Sequence, residues 1–229
     1  MTRLPTHANE PFTPMQRSLA YQPQPLLAAS IQVRVLRGAT DWTTVAARAQ
    51  FKPIPMSDAR RYLAFELLNP KGKPISLREV LGKRPTVACF VRHFGCLFCF
   101  EHVADAIAQN EAIKQRGAQL IIVGNGNPSH AREFERDVRL EGQVYTDPSR
   151  QLYRALAMRH GIGRTINLQV SRNARRAFQA GFRQIAVKGD RWQQGGNVVF
   201  GADGAILFSQ YAEVAGDPLP VAEAVRALR

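Results

Sequence analysis

The sequence predicts an α/β fold, a mixed sheet flanked by helices with an irregular N-terminal extension. Three observations predict it. From about residue 60, short β-branched and aromatic runs alternate with stretches of helical period. The 229 residues are 45% hydrophobic, and a core domain of about 150 residues buries roughly 70% of its unfolded surface without disulfide or metal staples. Residues 1–57 stand apart, with only Glu10 and Asp41 as acids and prolines at 5, 11, 14, 23, 25, 53 and 55. The chain therefore divides into 1–60, largely irregular, and 61–229, the α/β domain.

In order, Tyr62–Leu68 reads as a strand, and the turn at Asn69–Lys73 follows. Ile75–Leu81 is a short helical turn with Ser76 as cap and Gly82 as stop. Thr86–Val91 is a buried strand, and Phe98–Arg116 a helix burying Val103, Ala106, Ile107 and Ile113. Gly117 suits its left-handed end. Leu120–Val123 is a second buried strand, broken by Gly124-Asn-Gly-Asn-Pro, after which Ser129 caps a helix to about Leu140. Val144–Thr146 is a strand, and Arg150–Arg159 a helix ended by Gly161 and Gly163. Ser171 caps a helix over Arg172–Val187, whose Phe178, Phe182 and Ile185 fall at i, i+4, i+7 as a packed face. Arg172, Arg176 and Arg183 project elsewhere, as a solvated basic side or an edge that attracts an anionic partner. Gly195 and Gly196 precede the strand Asn197–Phe200, Ala202-Asp203-Gly204 turns the chain into Ile206–Gln210, and Leu219–Leu228 closes as a helix. Leu26–Leu36 reads as a short strand within the extension.

Composition excludes several classes. No run reaches the ~18 apolar residues of a membrane span. Three cysteines are too few, and odd in number, for a secreted disulfide framework. The net charge of +13 attracts polyanions unselectively, but only six of the 31 basic residues are lysine and no nucleic-acid-binding signature accompanies them. The glycine-rich 124–128 stretch matches neither a phosphate-binding loop nor a dinucleotide fingerprint.

The chemistry concentrates in Arg92-His-Phe-Gly-Cys96-Leu-Phe-Cys99. A Cys-x-x-Cys just past a buried strand, opening a helix, is the expected setting of a redox dithiol. Spacing of three puts both side chains on one helical face. The helix N-terminus favours a thiolate, lowering such thiols from about 8.5 to ~3.5–7.5. Arg92 and His93 add to this from the strand end, and Gly95 leaves room for a substrate or partner backbone. Cys96, at the first turn, is expected to be the more exposed nucleophile, with Cys99 placed to resolve it. Cys89, mid-strand, is expected in the core. His7, His130 and His160 fall in polar segments and read as solvated surface.

The same stretch, with Glu101 after it, resembles the peroxiredoxin-like proteins of the alkyl hydroperoxide reductase/thiol-specific antioxidant (AhpC/TSA) superfamily, in the branch of prostamide/prostaglandin F synthase and its redox-regulatory relatives. The segments Tyr145–Tyr153, Asp190–Phe200 and Gly216-Asp217 carry the resemblance further, over about residues 63–229. It implies a thioredoxin-like fold, with Cys96 and Cys99 as the redox pair and Gly195 and Gly196 in a loop facing them. Phe100 stands where the branch often has arginine, and His93 precedes Cys96 where peroxiredoxins place threonine. Dithiol chemistry is thus a firmer expectation than peroxidase turnover.

These features imply a thiol oxidoreductase that reduces a peroxide, lipid endoperoxide, quinone or disulfide through an intramolecular disulfide. Its expected partners are a small oxidised substrate and a thioredoxin- or glutathione-type reductant. No cofactor, metal, specific nucleic acid or integral membrane association is implied, and the expected compartment is the reducing cytoplasm. The rival reading is a non-enzymatic binding module of the same fold, holding zinc through His93, Cys96, Cys99 and His102.

Overall fold

The computed structural model describes residues 62–228. The extension 1–60, including the strand read at Leu26–Leu36 and His7, lies outside the described residues. Seven strands form one sheet in the order β2-β1-β5-β4-β3-β6-β7. They are β1 (Glu66–Leu68), β2 (Pro74–Ser76), β3 (Thr86–Phe90), β4 (Gln119–Gly124), β5 (Val144–Thr146), β6 (Gly196–Phe200) and β7 (Ile206–Tyr211). The central strand β3 runs parallel to β4 and antiparallel to β6, so the sheet is mixed, as its element order predicts. All five residues of β3 and all five of β6 are buried, which accounts for their unbroken apolar character.

The helices are α1 (Leu77–Leu81), α2 (Leu97–Ala108), α3 (Asn110–Gln115), α4 (Pro128–Val138), α5 (Gln151–Ala155), α6 (Leu168–Gln179) and α7 (Val221–Arg226). Two apolar clusters fill the space on the two sides of the sheet. One takes Cys89, Val103 and Phe134, the other Ala88, Phe90 and Tyr153, as alternation along β3 requires. Ser76 caps α1 in a reciprocal pair with Glu79, as its sequence predicts.

Several boundaries depart from the sequence reading. Only the last three residues of Tyr62–Leu68 pair as a strand, and Ile75 joins β2 rather than a helix. The helix read over Phe98–Arg116 is two, separated at Gln109, and Ile107 faces outward, 37% exposed. Asn127 caps α4 in place of Ser129: its side chain accepts from the His130 N–H, while His130 Nδ1 accepts from the Asn127 N–H. The helix read from Arg150 stops at Ala155. Asn167, not Ser171, caps α6, and the chain leaves that helix at Ala180. Phe182 and Ile185 therefore lie beyond it, and Phe178 and Ile185 are exposed rather than packed.

Candidate active site

The cysteine pair sits where β3 hands over to α2, at the carboxyl edge of the central strand. Cys96 is the N-cap of α2, with extended backbone, and its carbonyl accepts from the Cys99 and Phe100 N–H groups. Cys99 is on the first turn. The two side chains hydrogen-bond each other. Both are buried: Cys96 is 1% exposed and Cys99 3%. The expectation that Cys96 is the more exposed is thus overturned, because both side chains lie within the same buried apolar cluster and the Cys96 sulfur is held by the buried Arg92 guanidinium.

Arg92 organises the pair. Its main-chain N–H donates to Cys99 Sγ at 3.2 Å, and its Nη1 donates to Cys96 Sγ at 3.2 Å. The guanidinium is buried, and its remaining donors are also used. Nε reaches Gln193 O at 3.2 Å, and Nη2 reaches Arg191 O at 2.5 Å and Thr165 Oγ1 at 3.2 Å. A buried cation held this way is a fixed counter-charge rather than a mobile one.

The two sulfurs consequently differ. Burial opposes the Cys96 thiolate, but the hydrogen bond from Cys99, the Arg92 charge and the N–H groups of Cys99 and Phe98 at the helix start outweigh it. Together they bring Cys96 down to about 6. Burial, then the hydrogen bond and negative charge of Cys96, push Cys99 well above the ordinary thiol range. The pair is a thiolate at Cys96 receiving a hydrogen bond from a thiol at Cys99.

Residues that sequence reading passed over complete the setting. Asn125, in the stretch read only as a strand break, donates from Nδ2 to Arg92 O at 2.6 Å. Its Oδ1 accepts from the Asp190 N–H at 2.8 Å. This ties the end of β3 to the turn whose carbonyls hold the Arg92 guanidinium. The Tyr153 hydroxyl lies 2.7 Å from Val91 O and 2.8 Å from Val123 O, bracing the ends of β3 and β4. Asp190 pairs with Arg150 at 2.8 Å, and the exposed His160 lies 3.1 Å from the same carboxylate.

The His93 ring bonds backbone amides rather than sulfur. Its Nδ1 accepts from the Gly95 and Lys188 N–H groups at 3.3 and 3.4 Å. Burial, reinforced by the Arg92 and Arg191 charges, lowers it to about 4, so it is neutral at physiological pH. The segment 182–189 forms a strap across this loop. Lys188 O accepts from the Phe94 N–H at 3.1 Å, and Gly95 O accepts from the Ile185 N–H at 3.1 Å and from Gln184 Nε2 at 2.7 Å. The room beside Gly95 is therefore taken by the chain itself: a Cβ there would stand 1.7 Å from Ala186 O. The expectation of open access for a substrate at Gly95 fails on this contact.

A cleft of about 340 Å³ reaches the pair from the other side. Phe90, Phe98, Cys99, Gly195 and Leu219 are among its walls, and Cys96 is not. Gly195 is required there by backbone crowding, since a Cβ would stand 2.2 Å from Phe90 O. Gly195 O accepts from the Ala212 N–H, and Gly196 pairs within β6. At the mouth, Arg176 makes a two-point ion pair with Glu101, at 2.7 and 3.2 Å. His102 is committed to Asn197 Oδ1 at 2.7 Å. The zinc quartet read from sequence does not assemble: His93 turns to the strap and His102 to β6. Among the described residues, no group of three or more histidine, cysteine or acidic side chains converges as ligands would.

A seven-stranded mixed sheet with a Cys-x-x-Cys at a strand-to-helix junction defines a thioredoxin-fold protein. Similar solved structures agree on the fold. Peroxidoxin BcpB from Mycobacterium tuberculosis superposes with a TM-score of 0.53 at 15% identity, covering 72% of this chain and 91% of that one. Peroxiredoxin Q from Xanthomonas campestris gives 0.53 at 13% identity, covering 74% and 92%. The family model described as AhpC/TSA antioxidant enzyme matches residues 107–214, downstream of both cysteines. Among curated relatives, the chloroplastic thioredoxin-like protein AAED1 of Arabidopsis thaliana is 28% identical over 71% of this chain and 69% of its own length. Peroxiredoxin-like 2C of Homo sapiens is 27% identical over 62% and 67%. Prostamide/prostaglandin F synthase of Salmo salar is 23% identical over 71% and 83%. The chain is thus similar to the AhpC/TSA antioxidant enzymes and to the peroxiredoxin-like proteins, and shares their thioredoxin-like fold.

Proposed function

We propose that this protein is a thiol oxidoreductase working through Cys96 and Cys99. The observation that carries the reading is the Arg92 guanidinium at 3.2 Å from Cys96 Sγ, with the Arg92 N–H at 3.2 Å from Cys99 Sγ. One cation and one amide polarise two sulfurs already in hydrogen-bond contact.

With a hydroperoxide as oxidant, the Cys96 thiolate attacks the terminal oxygen, the O–O bond breaks, and the alcohol leaves with one added proton. Cys96 becomes a sulfenic acid. The Cys99 sulfur, giving up its proton, attacks the Cys96 sulfur, and water leaves as the disulfide forms. An external dithiol of thioredoxin type, or two glutathione molecules, restores both thiols by exchange. A disulfide or quinone oxidant enters the same cycle at its first step. The apolar walls of the cleft favour a substrate with a hydrocarbon body over hydrogen peroxide. Residues 61–229 act as the redox domain, 1–60 stand as a separate extension, and a reducing compartment such as the cytoplasm suits an unlinked dithiol.

Cys99, not Cys96, lines the cleft, and this favours a second reading in which Cys99 is oxidised first. Trapping separates them. Under the first reading, the Cys99→Ser protein accumulates a sulfenic acid on Cys96 and the Cys96→Ser protein is inert. The reverse pattern establishes the second. For the shared claim, thiol titration before and after one equivalent of cumene hydroperoxide should show the loss of two thiols per chain. Mass spectrometry should map the link to Cys96 and Cys99. Unchanged thiols, or identical peroxide consumption by the wild type and the double serine variant, would defeat the proposal.

A further inference from the structure

Six of the eight large apolar side chains exposed among the described residues fall between residues 162 and 187. Ile162 and Ile166 lie in the turn just before α6, where the Thr165 and Ile166 N–H groups both donate to Ile162 O, and Leu168 is the first residue of the helix. Phe178, Ile185 and Val187 lie at its far end and on the strap. Each is 47–68% exposed, too much for core residues and too concentrated for a chance scatter. Arg183 rests on the Phe178 ring, 3.9 Å from its centre.

Between these two groups runs the outward face of α6. At 100° per residue, Leu168, Arg172, Arg175 and Gln179 line up on it, and all four are exposed, while Asn173 and Ala177 face the core. The helix spans about 18 Å, so the two apolar groups are separated by that length with arginines in the middle. The surrounding sequence is one-signed: between Asp147 and Asp190 there are nine basic residues and no acidic one.

We infer that this face docks on an anionic lipid surface. A second copy is disfavoured, because a two-fold contact would set arginines against arginines with no acid within the segment to pair them. A protein partner ordinarily meets an apolar centre inside a charged rim. Here the order is inverted, with charge at the centre and apolar side chains at both ends. A bilayer interface fits that order. Separate apolar side chains dip independently past the headgroups, while arginines lying between them stay level with the phosphates. This inference does not rest on the dithiol reading.

The test uses the full chain and flotation with phosphatidylcholine vesicles, with and without phosphatidylglycerol. The wild type should float with the phosphatidylglycerol vesicles and remain behind with phosphatidylcholine alone. Arg172→Glu with Arg175→Glu should weaken partitioning at least about tenfold, as each basic residue contributes near the surface. Ile166→Ser with Leu168→Ser should weaken it by a similar factor through lost apolar burial. The Cys96→Ser, Cys99→Ser protein should float like the wild type, and unaltered melting of each variant excludes unfolding as the cause. Three results overturn the inference. These are no flotation with phosphatidylglycerol, loss on the arginine changes with none on the apolar pair, and binding indifferent to both pairs. The second reduces it to general attraction of polyanions, and the third moves binding to another part of the chain.

Discussion

The interior of β3 and the loop that follows it are about equally sealed from water, yet they give cysteine opposite characters. Cys89 lies mid-strand at 0% exposure, and Cys96 lies seven residues on at 1%. Burial, with Asp105 adding negative charge, pushes the Cys89 thiol far up, whereas Cys96 falls to about 6. Burial alone therefore does not set thiol behaviour. What differs is the supply of donors. Strand backbone groups at Cys89 are spent on β4 and β6, while the loop leaves Arg92 and a helix start aimed at sulfur. The loop is a polar pocket inside an apolar core, and its polar groups are nearly all matched.

Four outcomes would break or sharpen that contrast. The largest concerns His93, which the loop keeps neutral. Its value of about 4 lies below the 6.5 of the unfolded chain, so between those values the unfolded state binds more protons. The stability is complete above pH 6.5 and drains away as pH falls towards 4, by up to about 3 kcal/mol. Urea midpoints for wild type and His93→Gln should diverge over that window and run parallel above it. Second, Arg92→Met should slow iodoacetamide labelling of Cys96 at pH 7 by about 10- to 100-fold, as its thiolate returns towards the ordinary thiol range. Unchanged labelling would show that the helix start, not the guanidinium, polarises the sulfur. Third, labelling of Cys96 in the wild type should rise about tenfold between pH 5 and 7 and then level off, because the thiolate forms near 6. A rise only above pH 8 would erase the distinction from an ordinary thiol. Smallest, Cys89→Ala should cost about 1 kcal/mol of stability and leave disulfide formation between Cys96 and Cys99 intact. Loss of that disulfide would tie the strand interior to the site.

Much of this molecule was legible in its residues, for identifiable reasons. β3, β4 and β6 are buried on both faces, so each appears as a short apolar run. The Cys-x-x-Cys at the mouth of a helix needed only spacing and position. The 182–189 strap did not read correctly, because Phe178, Phe182 and Ile185 keep helical spacing after the helix has ended. Periodicity cannot tell an apolar residue bound for the core from one left at the surface. The caps went to Asn127 and Asn167 rather than to Ser129 and Ser171, a choice between competent residues two to four positions apart. Arg92 was visible beside the motif, but its holders Thr165, Arg191 and Gln193 lie 73 to 101 residues downstream. Folding, not local sequence, brings them together.

Gly95 shows how a turn can be shaped by an atom that is missing. With hydrogen in place of a methyl group, the strap rests its Ala186 carbonyl directly on the turn that leads into Cys96. Adding one carbon there would press that carbonyl and the turn leading into Cys96 apart. The seating of that turn is thus set from the strap, whose Ile185 N–H and Lys188 carbonyl bond the same loop.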